Sequence, residues 1–95
     1  MKIESNWFVY IIETCCGKLY TGITTDVERR FHEHFDVFSI GASKGAKFFR
    51  GKEPKQVVYR EICESRSEAS KRECSIKKMT ALKKRQLICT DLNMS

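Results

Sequence analysis

Apolar positions in this chain either run together or alternate in three stretches, and recur every three or four residues in three others. Trp7-Phe-Val-Tyr-Ile-Ile12 is β-branched and aromatic without a polar break, which predicts a central strand buried on both faces. Glu13-Thr-Cys-Cys-Gly17 reverses the chain, with Gly17 supplying a positive φ, and Lys18 to Ile23 returns as a second strand. A hairpin centred near Cys15 makes Tyr10 and Tyr20 near cross-strand neighbours, with Gly22 two residues further along the same face. Thr25 followed by Glu28 is a capping-box signature for a helix from Asp26 to about Phe38. Val27, Phe31, Phe35 and Phe38 mark its apolar side.

Ser39 to Lys52 contains three glycines and reads as a loop. Beyond Pro54, Gln56 to Ile62 predicts a third strand. Ser65 with Glu68 repeats the capping-box pattern and opens a helix through about Met79. Ala69 and Ile76 mark its inward face, with Cys74 and Met79 toward the flanks. Thr80 caps a final helix from Ala81 to Ile88, on which Lys83, Lys84 and Arg85 are expected to be solvated, and Asp91 to Ser95 reads as a frayed tail. The order ββα-loop-βαα predicts an α/β (α+β) sandwich: a small, mostly antiparallel three-stranded sheet flanked by helices, with residues 1–95 as one domain around a core at 7–88.

Composition narrows the class. With 41% apolar and 32% charged residues, disorder is not expected. No apolar run reaches the ~18 residues of a membrane span and no signal-peptide pattern opens the chain, so a cytoplasmic location is expected. The five cysteines are odd in number and contain no C-x-x-C pair, which argues for reduced thiols over a zinc ribbon or redox motif. A net charge of +6 on so short a chain favours a polyanionic partner, nucleic acid before membrane.

Several residues do not fit their surroundings. His34 falls within the apolar arc of the first helix and Arg30 lies at its edge. Gly22 interrupts a strand, which often marks close approach of backbone or ligand. Glu73 shares the inward face of Ala69 and Ile76, and a buried carboxylate there needs a cation, a metal or hydrogen-bond donors. Arg30 is its natural partner if the role is structural. In the loop, Lys44, Lys47, Arg50 and Lys52 interleave with Phe48 and Phe49, which suits a strand of phosphates with bases to stack. A solvated basic loop whose phenylalanines plug the core fits equally well.

Taken together, Tyr10, Tyr20, Gly22, Arg30, His34 and Glu73 lack the paired nucleophile and base of acyl transfer but suit phosphodiester hydrolysis. Glu73 is the candidate ligand for one hydrated Mg²⁺ or Mn²⁺, an ion content with a single carboxylate plus water and phosphate oxygens. The ion stabilises the leaving oxygen, Arg30 with His34 neutralises phosphate charge, and a tyrosine orients or deprotonates the attacking water. A phenol needs help from neighbouring cations to act as that base.

Phe8-Val9-Tyr10, ten residues before Tyr20-Thr21-Gly22 and followed by Arg30 and His34, resembles the GIY-YIG nuclease superfamily. The Lys44–Gly51 segment and the Ser67–Lys78 helix resemble its small stand-alone bacterial members, related to the N-terminal nuclease module of UvrC. This resemblance implies a metal-dependent DNA endonuclease of repair or recombination, with Tyr10, Tyr20, Gly22, Arg30 and His34 as catalytic positions and Glu73 as the metal-binding glutamate. Phe8 stands where the family has glycine, and Asn93 is the one candidate for the asparagine that often follows the glutamate helix. A catalytically weak nucleic-acid-binding module on the same fold is the alternative. A third possibility is an interaction domain held by a structural Glu73–Arg30 pair. So small a surface is expected to take its specificity from DNA shape or from a protein partner.

Overall fold

One strand, β1 (Trp7–Thr14), pairs on both sides and is the centre of the molecule. The computed structural model describes residues 6–93, with side chains described for 6–90. β1 runs antiparallel to β2 (Leu19–Thr24) and to β3 (Pro54–Cys63), giving the sheet order β2-β1-β3. The helices are α1 (Val27–Ile40), α2 (Arg66–Lys77) and α3 (Ala81–Asn93), so the element order is ββα-loop-βαα, as the sequence predicts. The polar-free stretch in β1 is accounted for by burial on both faces. Val9 and Ile11 pack with Tyr59, Ala69, Ile76 and Ile88 beneath α2 and α3. Tyr10 and Ile12 pack with Val27, Val37 and Phe49 beneath α1. Each fully buried side chain of this size contributes roughly 1.5–3 kcal/mol. Among the described residues no helix is long and apolar enough to cross a membrane. All five cysteines are free.

The hairpin register differs slightly from the one expected. Tyr10 faces Gly22 directly and Ile12 faces Tyr20, which puts the turn's centre at Cys16. Gly17 takes the positive φ, 86°. The parity is unchanged, so both tyrosines and Gly22 still share one face.

α1 starts one residue and ends two residues beyond the predicted places. Its cap is Asp26, not Thr25: Asp26 Oδ1 accepts from the Arg29 N–H at 3.0 Å, while Thr24 Oγ1 accepts from the Asp26 N–H. Glu28 is thereby moved out of the box position and pairs with Arg60 at 3.1 Å. The helix passes Phe38 and stops at Gly41, whose φ of 71° lets the Gly41 and Ala42 amides close on the Val37 and Asp36 carbonyls. Its buried face also differs from the expected Phe31–Phe35–Phe38 stripe. Val27, His34 and Val37 are buried, whereas Phe38 is 38% exposed. The polar residue expected inside the arc lies at its centre.

The loop before β3 is not wholly irregular, because Lys47–Phe49 forms a 3-10 turn. In α2, Ser65 accepts from the Glu68 N–H as the capping box requires, and Ala69 and Ile76 are fully buried. α3 continues past the predicted Ile88 to Asn93, since no glycine or proline interrupts it. The expected fraying from Asp91 is therefore not seen as far as Asn93, and Met94 and Ser95 lie outside the described residues. Arg85 was expected to be solvated. Instead its Nη1 donates to Glu13 at 2.8 Å and its Nη2 to the Gly17 carbonyl at 2.8 Å, clasping the hairpin turn to α3.

Candidate active site

Tyr10 belongs to the most buried part of the sheet, with 1% of its surface exposed. Its hydroxyl lies 2.8 Å from His34 Nε2. The other imidazole nitrogen, Nδ1, accepts from the Ala46 backbone N–H at 3.0 Å. An amide can only donate, so Nδ1 is unprotonated, and the ring's single proton sits on Nε2 and is donated to Tyr10 Oη. His34 is fully buried with both nitrogens satisfied, which is how the helix tolerates it among apolar neighbours. Burial, helped by the nearby Arg30 charge, pushes its pKa down to about 4. The imidazole is therefore neutral at physiological pH. That corrects the expectation that His34 helps neutralise phosphate charge.

Burial also raises the pKa of Tyr10, with Tyr20 adding to the effect and Arg30 opposing it. Tyr10 thus stays a phenol and is a poor base. Tyr20 is half-buried on the same face, its ring 6.3 Å from Tyr10, 5.2 Å from His34 and about equally near Phe48 and Phe49. Gly22 explains how these rings fit together. A Cβ at that position would lie 2.5 Å from Tyr10 Oη, 2.7 Å from its Cζ and 3.1 Å from Tyr20 Cε2. The strand glycine is there because a phenol occupies the space of its missing side chain. Gly22→Ala is expected to destabilise the fold by about 1–3 kcal/mol through overpacking. It should also break the Tyr10–His34 hydrogen bond, seen as a lower urea midpoint and a shifted Tyr10 absorbance; an unchanged midpoint would refute the packing account.

Arg30 lies on the rim of this cluster with 29% of its side chain exposed. Its Nη1 donates to Glu33 Oε1 at 2.7 Å and to the Lys44 carbonyl at 2.8 Å. Burial works against the charge, but Glu33 and the neighbouring Tyr10 outweigh it, and the guanidinium stays protonated. Glu73, from α2, is 21% exposed and pairs with Lys77 at 3.2 Å. Lys77 in turn lies 5.9 Å from the Tyr20 ring. The Glu73–Arg30 pair of the structural alternative does not form: each has a partner on its own helix, one turn away. The interaction-domain reading built on that pair falls with it. Glu73 is nevertheless close enough to raise the Tyr10 pKa through its charge.

The loop separates into two kinds of residue. Phe49 is fully buried and stacks 4.5 Å from His34, so it is a core plug. Phe48 is half-buried against Tyr20 with Lys52 Nζ 5.1 Å above it, while Lys44, Lys47 and Arg50 are exposed. Residues that sequence reasoning missed are Glu33, the anchor of Arg30, and the backbone of Lys44-Gly45-Ala46, which holds both Arg30 and His34. The signal for Glu33 was its i+3 spacing from Arg30. For the loop backbone there was none beyond a glycine.

No group of three or more His, Cys, Asp or Glu among the described residues is placed to hold an ion. Glu73 stands as a single carboxylate, a donor set that fits a hard divalent ion retaining its waters and binding substrate phosphate oxygens, not a closed protein cage.

Comparison with known proteins agrees with this arrangement. Residues 6–86 match the GIY-YIG catalytic domain. A UPF0213 protein of Desulfotalea psychrophila is 49% identical over 82 residues, covering 86% of this chain and 70% of its own. One from Haloquadratum walsbyi is 48% identical over 88 residues, 90% of this chain and 92% of its own. The solution NMR structure of a UPF0213 protein from Bacillus halodurans superposes with a TM-score of 0.55 at 39% identity, over 90% of this chain and 84% of that one. The chain belongs to the GIY-YIG catalytic domain family, and its function is of the nuclease type.

Proposed function

We propose that the chain is a metal-dependent DNA endonuclease that hydrolyses phosphodiester bonds in branched or damaged DNA. The observation that carries this reading is the gathering of a half-exposed, anchored Arg30 and a neutral Tyr10–His34 pair around the Gly22 gap, with Glu73 near enough to act on the same phenol. Glu73 would hold the Mg²⁺ or Mn²⁺ ion. When bound, such an ion supplies Lewis-acid stabilisation of the leaving oxygen.

The chain's own residues do the rest. Arg30 offers its remaining N–H groups to the phosphate, and its charge counters the one that develops on the pentacoordinate phosphorus. His34 donates to Tyr10 and fixes the direction of that hydroxyl, so Tyr10 acts as a held hydrogen-bond donor and not as a base. Tyr20, half-exposed beside it, orients the attacking water. Exposed Lys44, Lys47 and Arg50, with Lys52 and Phe48, carry the DNA backbone toward the site by charge and not by base readout. So small a domain offers little surface for base readout, which favours selection by DNA shape or by a protein partner.

The test is cleavage of branched and supercoiled DNA with Mg²⁺ or Mn²⁺, by wild type and by Glu73→Gln. Wild type should cut and lose activity on chelation, and Glu73→Gln should be slower on the order of a hundredfold while binding DNA normally. Equal rates for the two proteins, or no cutting by either on several substrates, would leave only a nucleic-acid-binding module. In that case neutralising Lys44, Lys47 and Arg50 would abolish a salt-sensitive affinity that Glu73→Gln leaves intact.

A further inference from the structure

Gly45 does not take the left-handed conformation that explains Gly17, Gly41 and Gly51. Its constraint is of another kind. A Cβ there would lie 2.5 Å from the Glu33 carbonyl oxygen, 2.6 Å from Val37 Cγ2 and 2.8 Å from His34 Cα. The first and third of these are backbone atoms of α1, which cannot rotate out of the way. So the loop backbone rests directly on the helix, at the turn that carries His34. The two peptide groups flanking this contact each hold a different site residue. On one side the Lys44 carbonyl accepts from Arg30 Nη1 at 2.8 Å, and on the other the Ala46 N–H donates to His34 Nδ1 at 3.0 Å.

We infer that Gly45 is a positioning residue, whose missing side chain seats the 44–46 backbone on α1 so that one carbonyl aims Arg30 and one amide selects the His34 tautomer that holds Tyr10. The inference rests on the nuclease reading for its effect on turnover, though not for the geometry. Its consequence is that the loop carrying Lys44, Lys47 and Arg50 also aligns the reacting groups. Were the amide withdrawn, nothing would keep the imidazole proton on Nε2, and Tyr10 would lose the donor that orients it. Were the carbonyl withdrawn, Arg30 would keep only Glu33 and could swing with it. A phosphate strand that settles on the three cations therefore lies on the same loop whose backbone aims the arginine.

Two measurements test this. Long-range proton–nitrogen correlation spectra of the wild type at neutral pH should show His34 as a single tautomer, protonated at Nε2; a proton on Nδ1, or a mixture, would overturn the assignment without reference to activity. Gly45→Ala, compared with wild type on branched DNA, should keep its KM within about twofold while kcat falls on the order of ten- to a hundredfold, and its His34 signal should become a tautomer mixture. A variant that keeps both the rate and the single tautomer would refute the proposal. So would one that loses rate and fold stability while the tautomer stays fixed, because Gly45 would then be a packing residue only. If the wild type cuts no DNA, the nuclease reading fails, and the change of His34 tautomer between wild type and Gly45→Ala still decides the positioning role.

Discussion

Arg30→Lys is expected to slow DNA cleavage on the order of a thousandfold, with fold and DNA affinity retained, a loss in the range seen when a transition-state arginine is removed from phosphoryl-transfer sites. The reason lies in how the guanidinium is held. Nη1 is committed to Glu33 at 2.7 Å and to the Lys44 carbonyl at 2.8 Å, which leaves the other N–H groups of the planar fork for a phosphate. An ammonium is one point: it can satisfy these two anchors or turn to the substrate, but it cannot span both. Arg30 is also partly buried, and burial works against its charge. Arginine keeps that charge and lysine yields more readily. Steady-state rates on a branched substrate with Mg²⁺, alongside equilibrium DNA binding, read the two effects separately. A lysine variant within about threefold of wild type in kcat would remove Arg30 from the chemistry.

The second large effect is on stability. Lowering the pH from 7 toward 4 should cost the fold up to roughly 3 kcal/mol through His34 alone, a sizeable part of the ~5–15 kcal/mol of a typical domain. In the folded protein the imidazole titrates at about 4, against 6.5 ordinarily, because it is buried and lies near Arg30. Between those values the unfolded chain binds a proton that the native state refuses, so stability falls as pH falls. The contribution is fully present above about 6.5, is lost progressively down to about 4, and levels off below it. Protonation would also remove the acceptor at Nδ1, which the Ala46 amide needs. Arg85 and Arg60 hold Glu13 and Glu28 below the ordinary carboxylate value, so their contributions also fade as the pH falls, and the comparison with a His34 variant is what separates them from the imidazole. Urea unfolding of wild type and His34→Gln across this window isolates the effect. The wild type should lose more stability than the variant between pH 6.5 and 4, and parallel curves would refute it.

What could be read from the sequence was what depends on period and parity. The polar-free run at Trp7–Ile12 has one physical explanation, a strand covered on both faces, and β1 is that strand. Alternation put Tyr10, Tyr20 and Gly22 on one face even though the turn's centre was misplaced by one residue, because the displacement kept the parity. The capping pattern at Ser65 and Glu68 was correct. Near Thr24-Thr25-Asp26, three good caps in succession left the choice to the tertiary structure, where the Thr24 hydroxyl is used in the turn. Hydrophobicity misjudged α1, since a histidine with both nitrogens satisfied can be buried more completely than the phenylalanine at 38. Pairing was the least legible. Arg30 and Glu73 each have a partner within their own helix, and a carbonyl and an amide from the loop complete the site with groups that every residue possesses.

Five of the six converging groups come from residues 10–34, a hairpin and the helix that follows it. The sixth, Glu73, arrives only with α2. If Glu73 holds the ion, as proposed, a chain cut short before α2 would carry the aromatic pair and the arginine without the ligand. On that reading, cleavage would wait on the docking of the later helix.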